Sequence, residues 1–309
     1  MTSSVLSALL PVVLLIALGA VLRQGLSLDK NFWTQAERLG YFVLLPCLFF
    51  HSLATAQLES LPVWSLSVTL ILSTLAVAAV VVIVRPLFRV NGPAFTSVFQ
   101  GSVRFNNYVG VTLTAGLFGA KGIALAAICN AAIVPTVNIL CVLVFARHGS
   151  AKLSGRGVLK QVVTNPLVIG SLGGIAFQMI GLGIPPGLEP AMRSLGGASL
   201  PLGLLCVGAA LEFRSDRQWV GPIASSSVMK FLLMPFATVL VAMLTGLTGS
   251  ALTTALVFQA LPTASSAFIL ARQLGGDAQL MAIITATQTI IAMFAMPLVL
   301  VCIGAIFKI

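Results

Sequence analysis

Two short groups of polar residues interrupt long apolar stretches, and their side chains are suited to binding a small ion. The first group reads Arg-Phe-Asn-Asn-Tyr-Val-Gly over 104–110, and the second reads Pro-Thr-Ala-Ser-Ser over 262–266. Guanidinium, amide and hydroxyl groups donate hydrogen bonds to a carboxylate, while amide and hydroxyl oxygens also suit sodium. The predicted substrate-binding residues are therefore Asn106, Asn107, Arg104, Thr263, Ser265 and Ser266.

The same two groups predict breaks in the helices that carry them. Pro262 removes one backbone donor and frees a carbonyl one turn earlier. Gly110 permits the matching break in the first group. Non-helical backbone is tolerated in a membrane only where protein or a water-filled cavity surrounds it, so paired breaks indicate a transport site.

Arg104 is the most informative of these residues. Placing a cation at the bilayer centre costs at least about 2.5–3.5 kcal/mol of insertion free energy, so it is expected to have a specific role. All seven acidic residues fall in predicted loops or at helix ends, so no carboxylate within a span is expected to pair with it. Its guanidinium either bonds the carbonyls freed by a broken helix or meets an anionic substrate. Both alternatives remain open.

Two further ionisable residues lie inside apolar runs, and each has a functional and a structural interpretation. Lys230 is expected to extend its ammonium toward an interface, with charge compensation at a coupling-ion position as the alternative. His51 ends its run and is expected to be a satisfied helix-end histidine, with proton coupling as the alternative. Coupling to Na⁺ or H⁺ stays open.

The elements that must position these residues are membrane helices. Of 309 residues, 58% are hydrophobic and 8% are charged, whereas a soluble domain carries roughly 25% charged residues. The lipid bilayer must therefore be the solvent. Ten all-α spans are predicted at 4–22, 36–56, 62–84, 94–117, 121–146, 163–182, 190–211, 219–245, 250–272 and 278–306.

Composition also argues against several other classes of protein. The net charge of +10 comes from cations scattered in short loops, so a nucleic-acid partner is not expected. The five cysteines lie in apolar runs without metal-ligand spacing, so neither a metal nor a cofactor is expected. Paired mid-depth acids and a Ser–Lys dyad are also missing from the pattern, so the chain is not expected to be an enzyme.

Lys and Arg residues fall unevenly between alternate loops, twelve on one side and three on the other. This bias places both termini outside and a basic linker, 151–162, in the cytoplasm. Six matches recur in order at offsets of 155 to 162 residues, such as Pro11 with Pro166 and Pro46 with Pro201. The chain is therefore divided into two five-helix repeats, 1–150 and 163–309, of opposite orientation.

Several motifs resemble the auxin efflux carrier family. The run Leu-Pro-Cys-Leu-Phe-Phe-His over 45–51 resembles the Val-Pro-x-x-x-Phe-His segment in the second helix of the plant carriers. Ala-Leu-Pro over 260–262, with Phe268, Ala271-Arg272 and Pro297, is similar to their ninth and tenth helices. The run 104–110, followed by Leu-Phe-Gly at 117–119, resembles the fourth helix of bacterial relatives.

The resemblance implies ten helices in two inverted repeats, with broken helices 4 and 9 crossing near the substrate, as in sodium–proton antiporters and bile-acid transporters. Asn106 and Asn107 match the fourth-helix Asn motif, and Pro262 matches the first ninth-helix proline. Thr112 and Ala267 stand where the family has its other crossover prolines.

We therefore expect a secondary transporter of a small organic anion, malonate-like or auxin-like, in the bacterial inner membrane. The alternatives are a cation or proton antiporter or a sodium-coupled symporter of the same fold, and, in another class, a membrane sensor or channel. A homodimer is also left open.

Overall fold

The computed structural model describes residues 2–25, 28–57, 61–149, 164–181, 183–211, 217–264 and 266–307, and these residues form helices and short connections. Five helical stretches are long and apolar enough to cross a membrane, judged by length and composition. They are Val63–Ile83, Gly92–His148, Leu188–Ala209, Val220–Thr245 and Ala278–Leu298. Leu10–Gly25 and Pro166–Ile180 are shorter apolar helices. The predicted linker 151–162 lies outside the described residues.

The first half of the chain contains α1 Thr2–Gly25, α2 Lys30–Leu39, α3 Leu45–Ala54, α4 Val63–Ile83, α5 Arg85–Phe88, α6 Gly92–Val103 and α7 Asn107–His148. The second half contains α8 Pro166–Ile180, α9 Leu188–Ala209, α10 Val220–Val228, α11 Met234–Thr245, α12 Gly249–Gln259, α13 Ser266–Leu274 and α14 Ala278–Phe307. Two π-helical turns, Gly40–Leu44 and Met229–Leu233, join α2 to α3 and α10 to α11.

The second predicted span begins six residues earlier than expected, at Lys30 rather than at residue 36. Asp29 explains the earlier start, because its carboxylate accepts a 2.8 Å hydrogen bond from the backbone N–H of Phe32 and caps the helix. Glu37 and Arg38 consequently lie in the last turns of α2 rather than in its first turn.

The long element α7 is two helices that meet at a sharp bend. Gly119 has φ 58° and ψ −138°, a conformation that disfavours residues with a side chain. A Cβ built on Gly122 would lie only 1.9 Å from the carbonyl oxygen of Thr114, so the chain turns back tightly on itself. The gap predicted between residues 117 and 121 coincides with this reversal.

The helices form two packing groups. In the first group α1 packs on α9, and α3 packs on α8 and α9, with α2 against α9. In the second group α4, α6, α7, α10, α11, α12 and α14 pack against one another, and α13 packs on α14 and α6. Helix α7 also contacts α1, α3, α8 and α9 of the first group, and α14 contacts α1, so the boundary between the groups runs along α7 and α14.

Glycines allow the closest helix crossing in the first group. A Cβ on Gly208 of α9 would lie 1.8 Å from the carbonyl oxygen of Ile16 in α1, and one on Gly19 would lie 2.1 Å from that of Leu205. Small residues let membrane helices approach to backbone contact. These two glycines therefore hold α1 and α9 at a separation that larger side chains exclude.

Candidate functional site

The first helix break lies between α6 and α7, where the polar group 104–110 begins. Arg104 is extended, with φ −74° and ψ 159°, and its backbone N–H closes the last turn of α6 on the carbonyl of Gln100. Asn106 caps α7, because its Oδ1 accepts from the backbone N–H groups of Tyr108 at 3.1 Å and Val109 at 3.4 Å. The side-chain oxygen of this predicted binding residue is therefore engaged by the backbone.

The second break separates α12 from α13 and lies against the first. Residues 260–264 are non-helical and include Pro262, while Ser265 lies outside the described residues. Thr263 donates its hydroxyl to Gln288 Oε1 at 2.6 Å, and its backbone N–H donates to the same oxygen at 3.2 Å. Gln288 Nε2 donates to the carbonyl of Gly101 at 2.9 Å. Gln288 of α14 thus joins the two breaks through one amide.

Gly110 lies in the first turn of α7, beside the second break rather than within the first. A Cβ on it would lie 2.6 Å from Leu261 Cδ1 and 3.0 Å from Phe258 Cζ. Its lack of a side chain therefore lets the two interrupted helices come together.

A small cavity of about 30 Å³ lies beside the crossing, with room for about two water-sized groups. Its walls are Tyr41, Arg104, Phe105, Asn107, Val134, Val137, Asn138 and Ser266. Three of the predicted binding residues, Arg104, Asn107 and Ser266, therefore share one cavity. Asn107 Oδ1 is buried there without a hydrogen-bond partner in the described part of the chain.

Arg104 reaches across this cavity to two side chains. Its NH1 donates to Asn138 Oδ1 at 3.1 Å, and its NH2 donates to Ser266 Oγ at 3.4 Å. Its Nε is buried without a partner, and no carboxylate pairs with the guanidinium within the described ranges. The positive charge is therefore solvated by neutral oxygens, an environment that an anion would complement.

The sequence did not identify three residues of this region. Tyr41 and Asn138 line the cavity, and Gln288 supports the breaks. Asn138 and Gln288 are amide side chains in largely apolar helices, where their nearest polar neighbours are threonines, and an amide at mid-depth is the signal that could have found them. Tyr41 carries no such signal, since an aromatic residue in an apolar run is typical of a core.

Lys230 and His51 lie away from the crossing cavity. Lys230 is in the π turn Met229–Leu233 and is fully buried, so the expected extension to an interface is wrong. Its Nζ has no hydrogen-bond partner among the described residues. His51 lies near the C-terminal end of α3. Its Nε2 is 3.6 Å from the Glu189 carboxylate, which also pairs with Arg193.

A larger cavity of about 480 Å³ lies along α13, one to two turns from Ser266. Its lining combines charged, aromatic and small residues from both packing groups: Arg23, Trp33, Thr34, Glu37, Cys206, Ala209, Ala210, Phe268, Ile269, Arg272, Gln273, Ala282 and Thr285. The Arg272 guanidinium lies 5.8 Å from the ring centroid of Phe268. Helix α13 lines both cavities, with Ser266 in the smaller one and Phe268, Ile269, Arg272 and Gln273 in the larger one.

Replacing Gln288 with Leu is expected to lower the free energy of unfolding by about 2–4 kcal/mol, because it leaves the buried backbone N–H of Thr263 unpaired and removes a hydrogen bond to the carbonyl of Gly101. Thermal unfolding of the purified variant in detergent measures this loss. The matched control is Gln178→Leu in α8, whose side chain makes no such bond in the described residues. Equal melting temperatures for the two variants would contradict the bracing role of Gln288.

Comparison with known proteins shows similarity to membrane transport proteins. The sequence model of a family described as "Membrane transport protein" matches residues 150–300. A protein named "Uncharacterized transporter" from Methanothermobacter thermautotrophicus is 24% identical over 292 residues, which cover 94% of this chain and 95% of that protein. A "Putative malonate transporter" from Rhizobium meliloti is 24% identical over 249 residues, covering 76% of this chain and 75% of the relative. These matches support the resemblance to the auxin efflux carriers, and the chain is similar to membrane transport proteins over most of its length.

Proposed function

We propose that the protein is a secondary transporter that moves a small organic carboxylate across the bacterial inner membrane. The observation that carries the proposal is the guanidinium of Arg104, which lies at the meeting point of two helix breaks without a carboxylate partner among the described residues. Asn107 and Ser266 share its cavity. Together they offer an anion one charge and several donors in a site shielded by protein.

In this proposal the chain crosses the membrane ten times, as two inverted five-helix repeats with both termini outside. The two breaks support this arrangement, because α6 and α12 end after the matching residues Phe99-Gln100 and Phe258-Gln259. Each packing group also draws helices from both halves of the chain. Inverted repeats that interleave in this way are typical of secondary transporters with a midplane site.

Alternating access would come from movement of one packing group against the other. The crossing cavity lies at their boundary, with Tyr41 on one side and Arg104 on the other. The 480 Å³ cavity would serve as the cytoplasmic approach, since the side that holds Arg23 and Arg272 is the one richer in cations. A relative named as a malonate transporter supports short carboxylic acids as substrates.

The proposal is tested first by ligand binding. The purified protein in nanodiscs is heated with acetate, malonate, benzoate or indole-3-acetate, in sodium or potassium salts, at pH 6 and pH 8. A carboxylate carrier gains thermal stability with at least one acid, since a ligand that binds only the folded state stabilises it by mass action. A gain that requires sodium, or that changes with pH, identifies the coupling ion. No gain with any acid would contradict the proposal.

Replacing Asn107 with Ala is expected to reduce carboxylate transport at least tenfold, because the variant loses an amide that faces the cavity. Counterflow of labelled acid in proteoliposomes measures the transport rate of each variant. The same assay distinguishes a carrier from a channel, because substrate on the far side of the membrane accelerates a carrier and does not accelerate a channel. The matched control is Asn130→Ala in the same helix, because Asn130 is buried outside the cavity and bonds the carbonyl of Ala126. Equal transport by the two variants would remove Asn107 from the site.

A further inference from the structure

Tyr41 and Arg104 both line the crossing cavity. It lies in the π turn Gly40–Leu44 between α2 and α3, in the first packing group. Arg104, Asn107 and Ser266 belong to the second group. The phenol and the guanidinium therefore line one cavity from two different packing groups.

The hydrogen bonds of Asn165 determine which way the Tyr41 hydroxyl points. Asn165 caps α8, and its Oδ1 accepts from the backbone N–H groups of Leu167 at 3.0 Å and Val168 at 3.3 Å. The amide atom that faces Tyr41 is therefore Nδ2, which donates to the phenol oxygen at 3.1 Å. An amide NH₂ group cannot accept, so the Tyr41 oxygen is the acceptor in this pair.

The proton of the Tyr41 hydroxyl is consequently available for a second partner. No acceptor within the described residues takes it, since the bond from Asn165 is the one hydrogen bond that the hydroxyl makes there. Arg104, across the cavity, carries donors alone. A carboxylate between the two side chains would accept from both, and it is the kind of group that satisfies every donor present.

We propose that the Tyr41 hydroxyl donates a hydrogen bond to the carboxylate of the transported acid, and that Asn165 positions the hydroxyl for this bond. This inference rests on the proposed function and adds a recognition residue to it. The cavity of about 30 Å³ admits a carboxylate head group and little more, because the Tyr41 ring forms one of its walls. The site therefore recognises the carboxylate itself, and the remainder of the acid lies outside the crossing cavity.

The test is the binding of acetate and malonate, benzoate and indole-3-acetate to Tyr41→Phe, which keeps the ring and removes the hydroxyl. Dissociation constants are measured by calorimetry on purified protein in nanodiscs. Tyr41→Phe is expected to weaken binding of each acid that the wild type binds by about tenfold or more, the usual effect of losing a hydrogen bond to a charged group. The control is Tyr108→Phe at the chain's other tyrosine, whose buried hydroxyl has no partner among the described residues and does not line the cavity.

The outcomes are distinguishable. Equal affinities for Tyr41→Phe, Tyr108→Phe and the wild type would overturn the role of Tyr41 and leave the proposed function standing. Absence of saturable binding to the wild type itself would overturn the proposed function, and the role of Tyr41 with it. Weakened binding in Tyr41→Phe alone supports both.

The positioning role of Asn165 has its own test. Asn165→Asp keeps an oxygen that caps α8 but replaces the donor that faces Tyr41 with an acceptor, which captures the phenol proton. Its binding loss is expected to match that of Tyr41→Phe, and the double variant is expected to bind no more weakly than either single variant. A further loss in the double variant would mean that Asn165 acts independently of Tyr41, and would overturn the positioning role.

Discussion

Arg104→Gln is expected to abolish saturable carboxylate transport while leaving the protein at least as stable as the wild type. Hydrogen bonds to charged groups contribute about 1.5–3 kcal/mol each. If the guanidinium makes two such bonds to the bound carboxylate, losing both weakens anion binding by at least roughly a hundredfold. Stability moves the other way, because the wild-type charge sits among neutral oxygens with no described carboxylate to offset its transfer from water. The glutamine amide can still donate one hydrogen bond to Asn138 or Ser266.

Uptake of labelled malonate into proteoliposomes and thermal unfolding of the same preparations measure the two effects. Arg193→Gln is the matched control, since Arg193 is an exposed arginine that pairs with Glu189 far from the cavity. A variant that loses transport but keeps or gains thermal stability identifies a binding residue, because loss of a structural residue lowers both. Loss of transport together with loss of stability would assign Arg104 to the fold, and unchanged transport would remove it from the site.

Gly208→Leu is expected to prevent assembly of the first packing group. A Cβ at this position would lie 1.8 Å from the carbonyl oxygen of Ile16, a backbone atom that cannot move aside without shifting α1. Overpacking of a well-packed core costs about 1–3 kcal/mol where neighbouring side chains can adjust. Here the obstacle is backbone, so the cost is expected at or above the top of that range, enough to unfold a marginally stable protein.

Size-exclusion profiles and melting temperatures of detergent-solubilised protein measure this outcome. Gly197→Leu provides the control on the same helix, because nothing lies within 4 Å of a Cβ built at Gly197. The control should elute and melt like the wild type. A well-folded Gly208→Leu variant would mean that α1 and α9 are not held together at this crossing.

The two helix breaks could be predicted from the sequence because their chemistry is local. Pro262 cannot continue a helix and Arg104 is too polar to face lipid, and each fact follows from one residue and its neighbours. The same local information led to a different role for Asn106. An asparagine directly before a helix is a typical N-cap, and its oxygen bonds Tyr108 and Val109 in the structure.

Contacts between distant residues were beyond what the sequence could establish. A helix that is apolar on every side gives no indication of which face is buried, and this explains why Lys230 was expected at an interface and is instead fully buried. Tyr41 joins the site only because the two packing groups meet beside it. Its partner Asn165 is 124 residues away along the chain.

The sharp bend at Gly119 sets the level at which Asn138 meets Arg104. At a rise of about 1.5 Å per residue, the helix travels roughly 18 Å from residue 107 to residue 119 and roughly 28 Å back to residue 138. The non-helical residues 104–106, at up to about 3.3 Å each, add roughly 10 Å to the outward path. The outward and returning segments are therefore of similar length, which brings Asn138 to the level of the guanidinium along the helix axis. A 3.1 Å hydrogen bond then joins two residues that are 34 positions apart in the sequence. One residue added to or removed from either leg would rotate Asn138 by about 100° and raise or lower it by about 1.5 Å. The length of this hairpin is therefore itself a constraint on the anion site, although its tip contacts no part of it.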